Sequence, residues 1–331
     1  MLKCRLFFLV LLTASMLSAD DAVHRSDCAY GPRQVGAGAA HKDSAQTYDV
    51  YLPAPVGEIP SDAPIYLFVH GGAWMAGSKS DAWPLLNELS KHGYVGISMN
   101  YALCPPGATD VTFATMLKDI DAMVSLLPKL CKELKLKTPK KIILGGKSAG
   151  GHLALLYAYD AAQPSILKLG LKHSVSIGCV VSDCGPTDLT SEAFKAAAHQ
   201  GQPGDRNLQR AWFSVLSGGR ATETNDQRIR RQLARYSPAA FVSAKVPPTL
   251  ALYGESGKVS GTEIATDGII ARQNYDTLTN RLTQCKVPFA ARLTPYPHCQ
   301  ALERDADARL WYFNSLRALM ANPVLTTRNS L

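Results

Sequence analysis

The sequence lacks several features that define other classes of protein. Its apolar run near the start, Leu6–Leu12, is too short to cross a bilayer. There is no Cys-x-x-Cys pair and no histidine-rich spacing of the kind that binds zinc. Neither phosphate-binding pattern, G-x-x-x-x-G-K-[ST] or G-x-G-x-x-G, occurs. We therefore expect no metal, no cofactor and no stable insertion into a membrane.

Strong or segregated charge is also missing. Charged residues make up 19% of the 331 residues, and the formal net charge is +8. The basic residues are scattered, apart from small clusters at Lys135–Lys141 and Arg228–Arg231. A nucleic-acid-binding protein would concentrate basic residues on one face with aromatic residues among them. We therefore expect a solvated surface and no nucleic-acid partner.

The first 19 residues have the layout of a secretory signal peptide. Lys3 and Arg5 form a basic start, the apolar run follows, and small residues including Ala19 precede Asp20. Cleavage there would leave seven of the eight cysteines, an odd number whose pairing one sequence does not reveal. The sequence thus predicts a secreted or periplasmic protein. The alternative is that residues 1–19 stay attached as an anchor.

Strand and helix patterns alternate along most of the chain. Spacing of apolar residues by three and four predicts helices at 83–92, 111–134 and 149–159. Short apolar or alternating runs bounded by loops predict strands at 48–52, 65–69, 94–99, 141–144, 177–182, 249–253 and 289–293. This alternation predicts an α/β fold with a mostly parallel central sheet and helices on both faces.

We expect one folded domain after the signal peptide. Residues 20–45 are weakly patterned and are interpreted as a loosely ordered lead-in, and residues 46–322 as the α/β domain. Residues 190–237 interrupt the alternation, are polar, and are interpreted as a helical cap insertion over the carboxyl edge of the sheet. A chain of this length buries enough surface to fold without a metal or a disulfide.

A serine motif lies at the end of the strand predicted at 141–144. Gly146–Gly150 reads G-x-S-x-G and opens a helix, which is the strand–turn–helix context of a nucleophile elbow. Such a turn strains the serine backbone, so its neighbours must be small, and Gly146, Ala149 and Gly150 are. We predict that Ser148 is a nucleophile. The alternative is a turn that packs tightly or binds phosphate.

A glycine-rich loop follows the strand predicted at 65–69. It reads His-Gly-Gly-Ala-Trp, and two glycines let the chain turn its amides towards a site. Acyl transfer places negative charge on a carbonyl oxygen, which preorganised backbone N–H groups stabilise. We predict Gly72, Ala73 and Ala149 as the donors of this oxyanion hole, and we expect His70 to hold the loop by hydrogen bonding. The alternative is a simple tight turn.

With these motifs the sequence resembles the α/β-hydrolases of the hormone-sensitive-lipase and carboxylesterase type, which carry H-G-G-x-W and G-x-S-x-G in this order. Over about residues 45–320 it is most similar to the small esterases that include acetylxylan and feruloyl esterases of the BD-FAE kind. Kynurenine formamidases and prenylcysteine methylesterases share the pattern. Gly185–Leu189 and Ser237-Pro238 also match family landmarks. The resemblance implies the α/β-hydrolase fold and a triad in the order serine, acid, histidine.

The resemblance places the catalytic base after the last predicted strand. His298 lies there, at the end of Pro-Tyr-Pro-His. An imidazole can take the Ser148 proton near neutral pH. We therefore predict His298 as the base, with a surface-loop histidine as the alternative.

The triad acid is less well defined by the resemblance. Family members usually read G-x-x-D after the strand that here ends at Tyr253, but this sequence reads G-E-S-G at 254–257. Glu255 could serve, since either carboxylate can orient an imidazole. Alternatively the loop is longer and Asp267 serves, because apolar residues follow it at helical spacing. We favour Asp267, with Glu255 as the alternative and Glu263 as a remote third.

The combined motifs predict a secreted serine carboxylic-ester hydrolase that acts through an acyl-enzyme. Its partner would be a small-molecule or polysaccharide-linked ester, either short-acyl or carbohydrate-linked (acetyl or feruloyl). The alternatives are an amidase or formamidase of the kynurenine formamidase type and a non-catalytic binding protein on the same fold. Trp74, Trp212 and Phe213 are candidates for lining a substrate pocket, with packing in the core or cap as an equal alternative.

Overall fold

A computed structural model of the chain describes residues 23–33, 45–105, 107–163, 167–191, 194, 206–223, 225–256, 258–259, 262–263, 265–321 and 326–330. The predicted signal peptide at 1–19, much of the predicted lead-in, and part of the predicted cap lie outside these ranges. Among the described residues, no helix combines the length and the apolar character that crossing a membrane requires.

Strands and helices alternate in the described chain. The strands are β1 (Val23–Ala29), β2 (Thr47–Leu52), β3 (Ile65–Val69), β4 (Val95–Met99), β5 (Lys141–Lys147), β6 (Ser176–Asp183), β7 (Thr249–Ser256), β8 (Lys258–Val259), β9 (Thr262–Glu263), β10 (Phe289–Pro297) and β11 (Thr326–Ser330). The helices are α1 (Trp83–Lys91), α2 (Phe113–Glu133), α3 (Ala149–Ala162), α4 (Arg206–Leu216), α5 (Asp226–Ala234), α6 (Ala265–Gln284), α7 (Ala301–Arg304) and α8 (Ala306–Ala321).

One large sheet organises these elements. Its strand order is β1-β2-β4-β3-β5-β6-β7-β10-β11, and β8 and β9 form a separate short ribbon. The contacts of β2 with β1 and β4 are antiparallel, and the remaining neighbours of the large sheet run parallel. The carboxyl ends of β3, β5, β6, β7 and β10 therefore meet at one edge.

The central strands are buried on both faces, as their apolar runs predict. In β3, Leu67 and Val69 belong to the core that lies against α2, α3 and α6. Tyr66 and Phe68 alternate with them and pack on the opposite face, in the core beneath α1 and α8. The two-residue period of a strand thus divides one apolar run between two cores. Helices on both faces confirm the predicted layering.

Helix α2 begins where its sequence provides a cap. The Thr112 side chain accepts a hydrogen bond from the Thr115 amide, and the Thr115 side chain accepts one from the Thr112 amide. This reciprocal arrangement satisfies amides that the first helical turn leaves without partners. Met116, Ile120 and Val124 then follow at four-residue spacing and are fully buried. Cap and apolar stripe together fix the start and the rotation of the helix.

Two edge strands depart from the sequence predictions. Val23–Ala29 was expected to be loosely ordered within the lead-in, but it pairs antiparallel with β2. Thr326–Ser330 lies beyond the predicted end of the domain at residue 322 and pairs parallel with β10. Both strands are rich in polar residues. An edge strand gains most of its order from backbone pairing, so apolar periodicity did not reveal either one.

Candidate active site

Ser148 lies at the tip of a strained turn between β5 and α3. Its backbone has φ 54° and ψ −121°, and its amide donates a hydrogen bond to the Asp183 carbonyl at 2.7 Å. A Cβ on Gly146 would overlap the backbone of Gly150, and a Cβ on Gly150 would overlap the Val69 carbonyl. Only glycine therefore fits at either position. These contacts hold the serine at the carboxyl edge of the sheet.

The His298 ring faces the Ser148 hydroxyl. Its Nε2 lies 2.9 Å from Ser148 Oγ, within hydrogen-bond distance. The two residues are 150 positions apart in the chain. They meet because β5 and β10 are strands of the same parallel array and end at the same edge. The structure thus brings together the predicted nucleophile and the predicted base.

The loop after β3 turns sharply beside the nucleophile. Gly72, Ala73 and Trp74 all have positive φ, at 107°, 51° and 63°. A Cβ on Gly71 would lie 3.3 Å from the Ser148 Cβ, so this loop passes directly against the serine. The amide of Ala149 belongs to the first residue of α3, where unpaired N–H groups give the helix end partial positive charge. The loop after β3 and the start of α3 therefore both lie next to Ser148, and the oxyanion role of Gly72, Ala73 and Ala149 stays a prediction.

His70 holds the shape of this loop. Its Nδ1 is 2.7 Å from the Gly71 carbonyl, and its ring stacks on Tyr101 with centroids 4.3 Å apart. The Tyr101 hydroxyl donates to the His70 carbonyl at 3.1 Å. The fully buried ring thus braces the turn, which agrees with the structural role expected for it.

Of the three predicted acids, Glu255 alone has a described side chain, and that side chain binds Arg272. The Glu255 carboxylate accepts hydrogen bonds from Arg272, at 2.6 Å from Nη2 and 2.9 Å from Nε. Its side chain is 41% exposed. Asp267 lies in the first turn of α6, and Glu263 in β9, but the side chains of both fall outside the described residues. Asp267 therefore stays a prediction, and Glu255 has another partner.

A thiol that sequence reasoning missed lies next to His298. Cys184 follows β6 directly, and its Sγ accepts hydrogen bonds from the Cys299 amide at 3.0 Å and the Gly254 amide at 3.4 Å. A ring nitrogen of His298 lies within 4.8 Å of this sulfur. The available signal was position: Cys184 follows a predicted strand whose end meets the edge that carries Ser148.

The environment of Cys184 favours its ionised form. Burial opposes ionisation, but the Cys299 thiol, the His298 ring and the Gly254 amide hold the pKa of Cys184 well below its ordinary value. The opposite holds for Cys299, where burial and the neighbouring Cys184 raise the thiol pKa well above its ordinary value. One of two adjacent buried thiols is therefore disposed to carry a negative charge.

Among the described residues, Cys184, Cys299 and His298 form the group that could bind a metal ion. The sulfurs of Cys184 and Cys299 and a ring nitrogen of His298 lie within 4.8 Å of one another. Sulfur and imidazole nitrogen form a donor set that zinc accepts. Because His298 Nε2 already faces Ser148, the arrangement also fits a serine–histidine pair that needs no metal.

A second histidine near the elbow is excluded as the base. His152 lies on α3, is fully buried, and its Nε2 donates to the Tyr236 carbonyl at 2.7 Å. Burial lowers its pKa to about 4. The ring is therefore neutral at neutral pH and occupied by a structural contact, so His298 is the histidine placed for proton transfer.

The predicted pocket aromatics form one packed cluster. Trp74 contacts Trp212 with ring centroids 6.2 Å apart, and Trp212 contacts Phe213 at 4.9 Å. Trp212 Nε1 donates to the Cys104 carbonyl at 2.7 Å. Trp74 and Phe213 are buried. The cluster joins the loop after β3 to α4, which lies in the predicted cap. These side chains therefore pack against one another, and their role in lining a substrate pocket stays a prediction.

A cavity of about 570 Å³ lies between α1 and α8, on the face of the sheet that these two helices cover. Lys147 and Asp183 are among its lining residues, whereas Ser148 and His298 are not. Lys147 Nζ forms an ion pair with Glu303 at 2.9 Å. Burial raises the pKa of Asp183 well above its ordinary value, with a smaller contribution from the charge of Cys184. This cavity is therefore separate from the Ser148–His298 pair.

The parallel sheet with its strand–turn–helix elbow defines the α/β-hydrolase fold. Solved structures of that fold agree: esterase B from Lactobacillus rhamnosis, inhibited by a C4-C4 SN3 tributyrin phosphonate, superposes with a TM-score of 0.68. The two sequences are 19% identical, and the superposition covers 91% of this chain and 86% of the esterase B chain. More specifically, the chain belongs to the BD-FAE family, whose sequence profile matches residues 48–263.

Curated relatives match over part of their length. The non-reducing polyketide synthase atr1 of Stereocaulon alpinum is 34% identical over 150 residues, which are 44% of this chain and 6% of the synthase. Esterase LipQ of Mycobacterium tuberculosis is 30% identical over 196 residues, 58% of this chain and 42% of that protein. The chain thus spans less than half the length of these two relatives.

Proposed function

We propose that the protein is a serine hydrolase of carboxylic esters, with Ser148 as nucleophile and His298 as general base. The observation that carries this proposal is the 2.9 Å contact between His298 Nε2 and Ser148 Oγ at a strained elbow. Membership of the BD-FAE family supports it, and so do the names of LipQ and esterase B as esterases.

The geometry supports a two-stage reaction through an acyl-enzyme. His298 Nε2 takes the Ser148 proton as Oγ attacks the ester carbonyl carbon, and the Gly72, Ala73 and Ala149 amides donate to the resulting oxyanion. The carbon–alkoxide bond then breaks, and the alcohol leaves with the proton from His298. Water repeats the attack, gives its proton to His298, and the acid product departs as Ser148 regains a proton.

Two residues are candidates for the acid of the triad in this proposal. The sequence pattern favours Asp267, with Glu255 as the alternative. Arg272 already binds the Glu255 carboxylate, which weakens that alternative. Asp267 therefore remains our proposal for the acid.

We further propose a secreted enzyme that acts on short-acyl or carbohydrate-linked esters. The signal-peptide layout of residues 1–19 supports secretion. The match to the BD-FAE family supports an ester of the acetyl or feruloyl kind. The tributyrin phosphonate on esterase B supports a short acyl chain. A panel of acetyl-xylan, methyl ferulate and longer acyl esters would rank these substrates by kcat/KM.

The activity is tested with p-nitrophenyl acetate and a fluorophosphonate probe. We expect the wild type to hydrolyse the ester and to bind one probe covalently at Ser148. Ser148→Ala should lose both, with kcat reduced on the order of 10⁶-fold. Ser176→Ala is the matched control, because Ser176 is an exposed serine at the start of β6. A wild type without turnover and without label would show that the proposal is wrong.

A further inference from the structure

The cavity between α1 and α8 is lined by aromatic and aliphatic side chains. At about 570 Å³ it has the size of a small-molecule site. Phe68 of β3 and Val181 of β6 line it from either side of β5, where Gly145 lies in register with both and adds no side chain. Tyr66 and Tyr312 also line it, and their hydroxyl groups hydrogen-bond to each other at 2.6 Å. These residues therefore offer an occupant mainly apolar surface and ring faces.

Charged side chains surround this apolar surface, and acidic ones predominate. The lining contains four carboxyl groups and two basic groups: Asp81, Glu88, Asp183 and Glu303 against Lys147 and Arg309. The Lys147 Nζ binds Glu303 at 2.9 Å, and Arg309 donates to the carbonyls of Leu302 and Glu303. Even without Asp183, the carboxylates outnumber the basic groups. The charge around the cavity therefore favours a cation over an anion.

Asp183 contributes a buried carboxyl group with an oxygen that lacks a protein partner. It is 7% exposed and lines the cavity, and nothing in the described part of the chain hydrogen-bonds to its Oδ1. Lys147 is its register neighbour on β5, but this lysine pairs with Glu303 instead. Burying a polar group without a hydrogen bond costs free energy, so a donor supplied by a ligand would be stabilised at this carboxyl group.

We propose that this cavity is a binding site for a small organic cation, a primary ammonium group carried on an aromatic body. The ammonium group donates a hydrogen bond to the Asp183 carboxyl group, and the aromatic body packs between Phe68, Val181 and the two tyrosines. Aromatic rings also attract a cation that lies against their faces. A carboxyl oxygen accepts from an ammonium group in either protonation state, so this recognition does not require Asp183 to titrate.

The site lies beside the Ser148–His298 pair and is distinct from it. Lys147 precedes Ser148 and Cys299 follows His298, and both of these neighbours line the cavity. Ser148 and His298 themselves do not line it. An occupant would therefore lie next to the nucleophile elbow without covering the nucleophile. Binding of the cation does not depend on the proposed hydrolase function, and it leaves Ser148 open to an ester.

Isothermal titration calorimetry of the full chain with phenethylamine tests this site. Phenethyl alcohol and 3-phenylpropanoate carry the same ring on a neutral and an anionic group, and they serve as matched controls for charge. We expect phenethylamine to have the lowest dissociation constant of the three and 3-phenylpropanoate the highest, because acidic groups predominate in the lining. The reverse order would show that the proposed ligand class is wrong.

The variant Leu85→Trp locates the bound amine. Leu85 is a half-buried residue of α1 that lines the cavity, so a larger ring there fills the space that the ligand needs. Leu310→Trp is the control, because Leu310 lies on α8, is 61% exposed and is not among the lining residues. We expect Leu85→Trp to show no detectable binding of phenethylamine and Leu310→Trp to bind it as the wild type does.

Two substitutions at Asp183 test the proposed contact. Leucine is of similar size but accepts no hydrogen bond, so the affinity for phenethylamine should fall by about 10-fold to 100-fold, the value of a hydrogen bond to a charged group. Asparagine keeps an accepting oxygen, and Asp183→Asn should therefore retain more affinity than Asp183→Leu. If either variant fails to fold, the comparison of Leu85→Trp with Leu310→Trp still decides whether the cavity binds the amine.

The remaining outcomes separate this inference from the proposed function. Enzyme labelled at Ser148 by fluorophosphonate should bind phenethylamine as the free enzyme does. If the label blocks binding, or if the amine competes with p-nitrophenyl acetate, the amine occupies the active site and the inference is wrong. It is equally wrong if Leu85→Trp binds phenethylamine like the wild type. A wild type that binds the amine in this cavity but shows neither turnover nor label would leave the inference standing and overturn the hydrolase.

Discussion

Ser148 occupies a backbone conformation that a serine does not adopt without support. A non-glycine residue at positive φ costs on the order of 1–3 kcal/mol, and Ser148 has φ 54°. The surrounding glycines supply the support, because they let α3 approach the end of β3 more closely than any side chain would allow. Stability elsewhere in the fold thus maintains a reactive geometry at one residue.

Gly150→Ala tests this close approach. The added Cβ would overlap the carbonyls of Val69 and His70, and backbone atoms of a buried strand end cannot move aside. We expect the free energy of unfolding to fall by at least about 3 kcal/mol, in the range of severe overpacking, measured by urea denaturation. Gly170→Ala is the control: its Cβ meets nothing within 4 Å, and only its φ of 68° adds strain, about 1 kcal/mol.

His152 predicts a pH dependence of stability. Burial lowers its pKa to about 4 from the ordinary 6.5, so the unfolded chain binds the proton more readily than the folded protein. Its contribution to stability is therefore complete above pH 6.5 and is lost as the pH falls from there towards 4. The shift corresponds to on the order of 3 kcal/mol.

Replacing the ring isolates this contribution. His152→Gln keeps an N–H for the Tyr236 carbonyl but does not titrate, so its unfolding free energy should depend less on pH between 6.5 and 4 than that of the wild type. His92→Gln, at an exposed position, serves as the control. Equal slopes for wild type and His152→Gln would contradict the assignment.

At the scale of elements, an ion-pair network fastens the first strand to the sheet. Lys79, in the short 3₁₀ turn before α1, binds Asp49 of β2 at 2.7 Å and Asp27 of β1 at 2.9 Å. The Lys79 and Asp49 side chains are only 9% and 4% exposed. Burial opposes the charge on Lys79, but hydrogen bonds and charges from both carboxylates together outweigh burial and raise the Lys79 pKa. The lysine therefore keeps its charge.

Removing that lysine would leave Asp49 buried and without its main counter-charge. We expect Lys79→Met to lower the free energy of unfolding by about 3–5 kcal/mol, as for a broken buried pair. Lys129→Met is the matched control, since Lys129 is 74% exposed and lies 3.9 Å from Glu133, where an ion pair contributes at most about 1 kcal/mol. Similar losses in the two variants, measured by denaturant unfolding, would contradict the buried role of Lys79.

The elements that sequence patterns predicted well are those that bury apolar surface. The seven predicted strands all lie within or beside β2 to β7 and β10, because their apolar runs must face two cores. The edge strands β1 and β11 have no such run and were missed. At the site, Ser148 and His298 follow from position at strand ends. Cys184 did not, since its contacts with Gly254 and Cys299 depend on a three-dimensional convergence of loops.

At the scale of the whole molecule, the cap and the hydrolase body meet through the aromatic cluster. Trp212 on α4 contacts Trp74 of the oxyanion loop and bonds to the Cys104 carbonyl. These rings therefore connect α4 to the loop that carries Gly72 and Ala73, the predicted oxyanion donors. This contact gives the cap a means to influence catalysis although it supplies neither member of the Ser148–His298 pair.

Trp212→Ala should show that coupling. Loss of the ring removes packing and a hydrogen bond, so the unfolding free energy should fall by roughly 3 kcal/mol, as for a large aromatic truncation. Because Trp74 loses its support, we also expect a lower kcat/KM for p-nitrophenyl acetate in the folded variant. Trp83→Ala, at a position 50% exposed, should change the unfolding free energy less and leave kcat/KM unchanged. Equal kcat/KM for wild type and Trp212→Ala would mean that the cap packs on the oxyanion loop without affecting its amides.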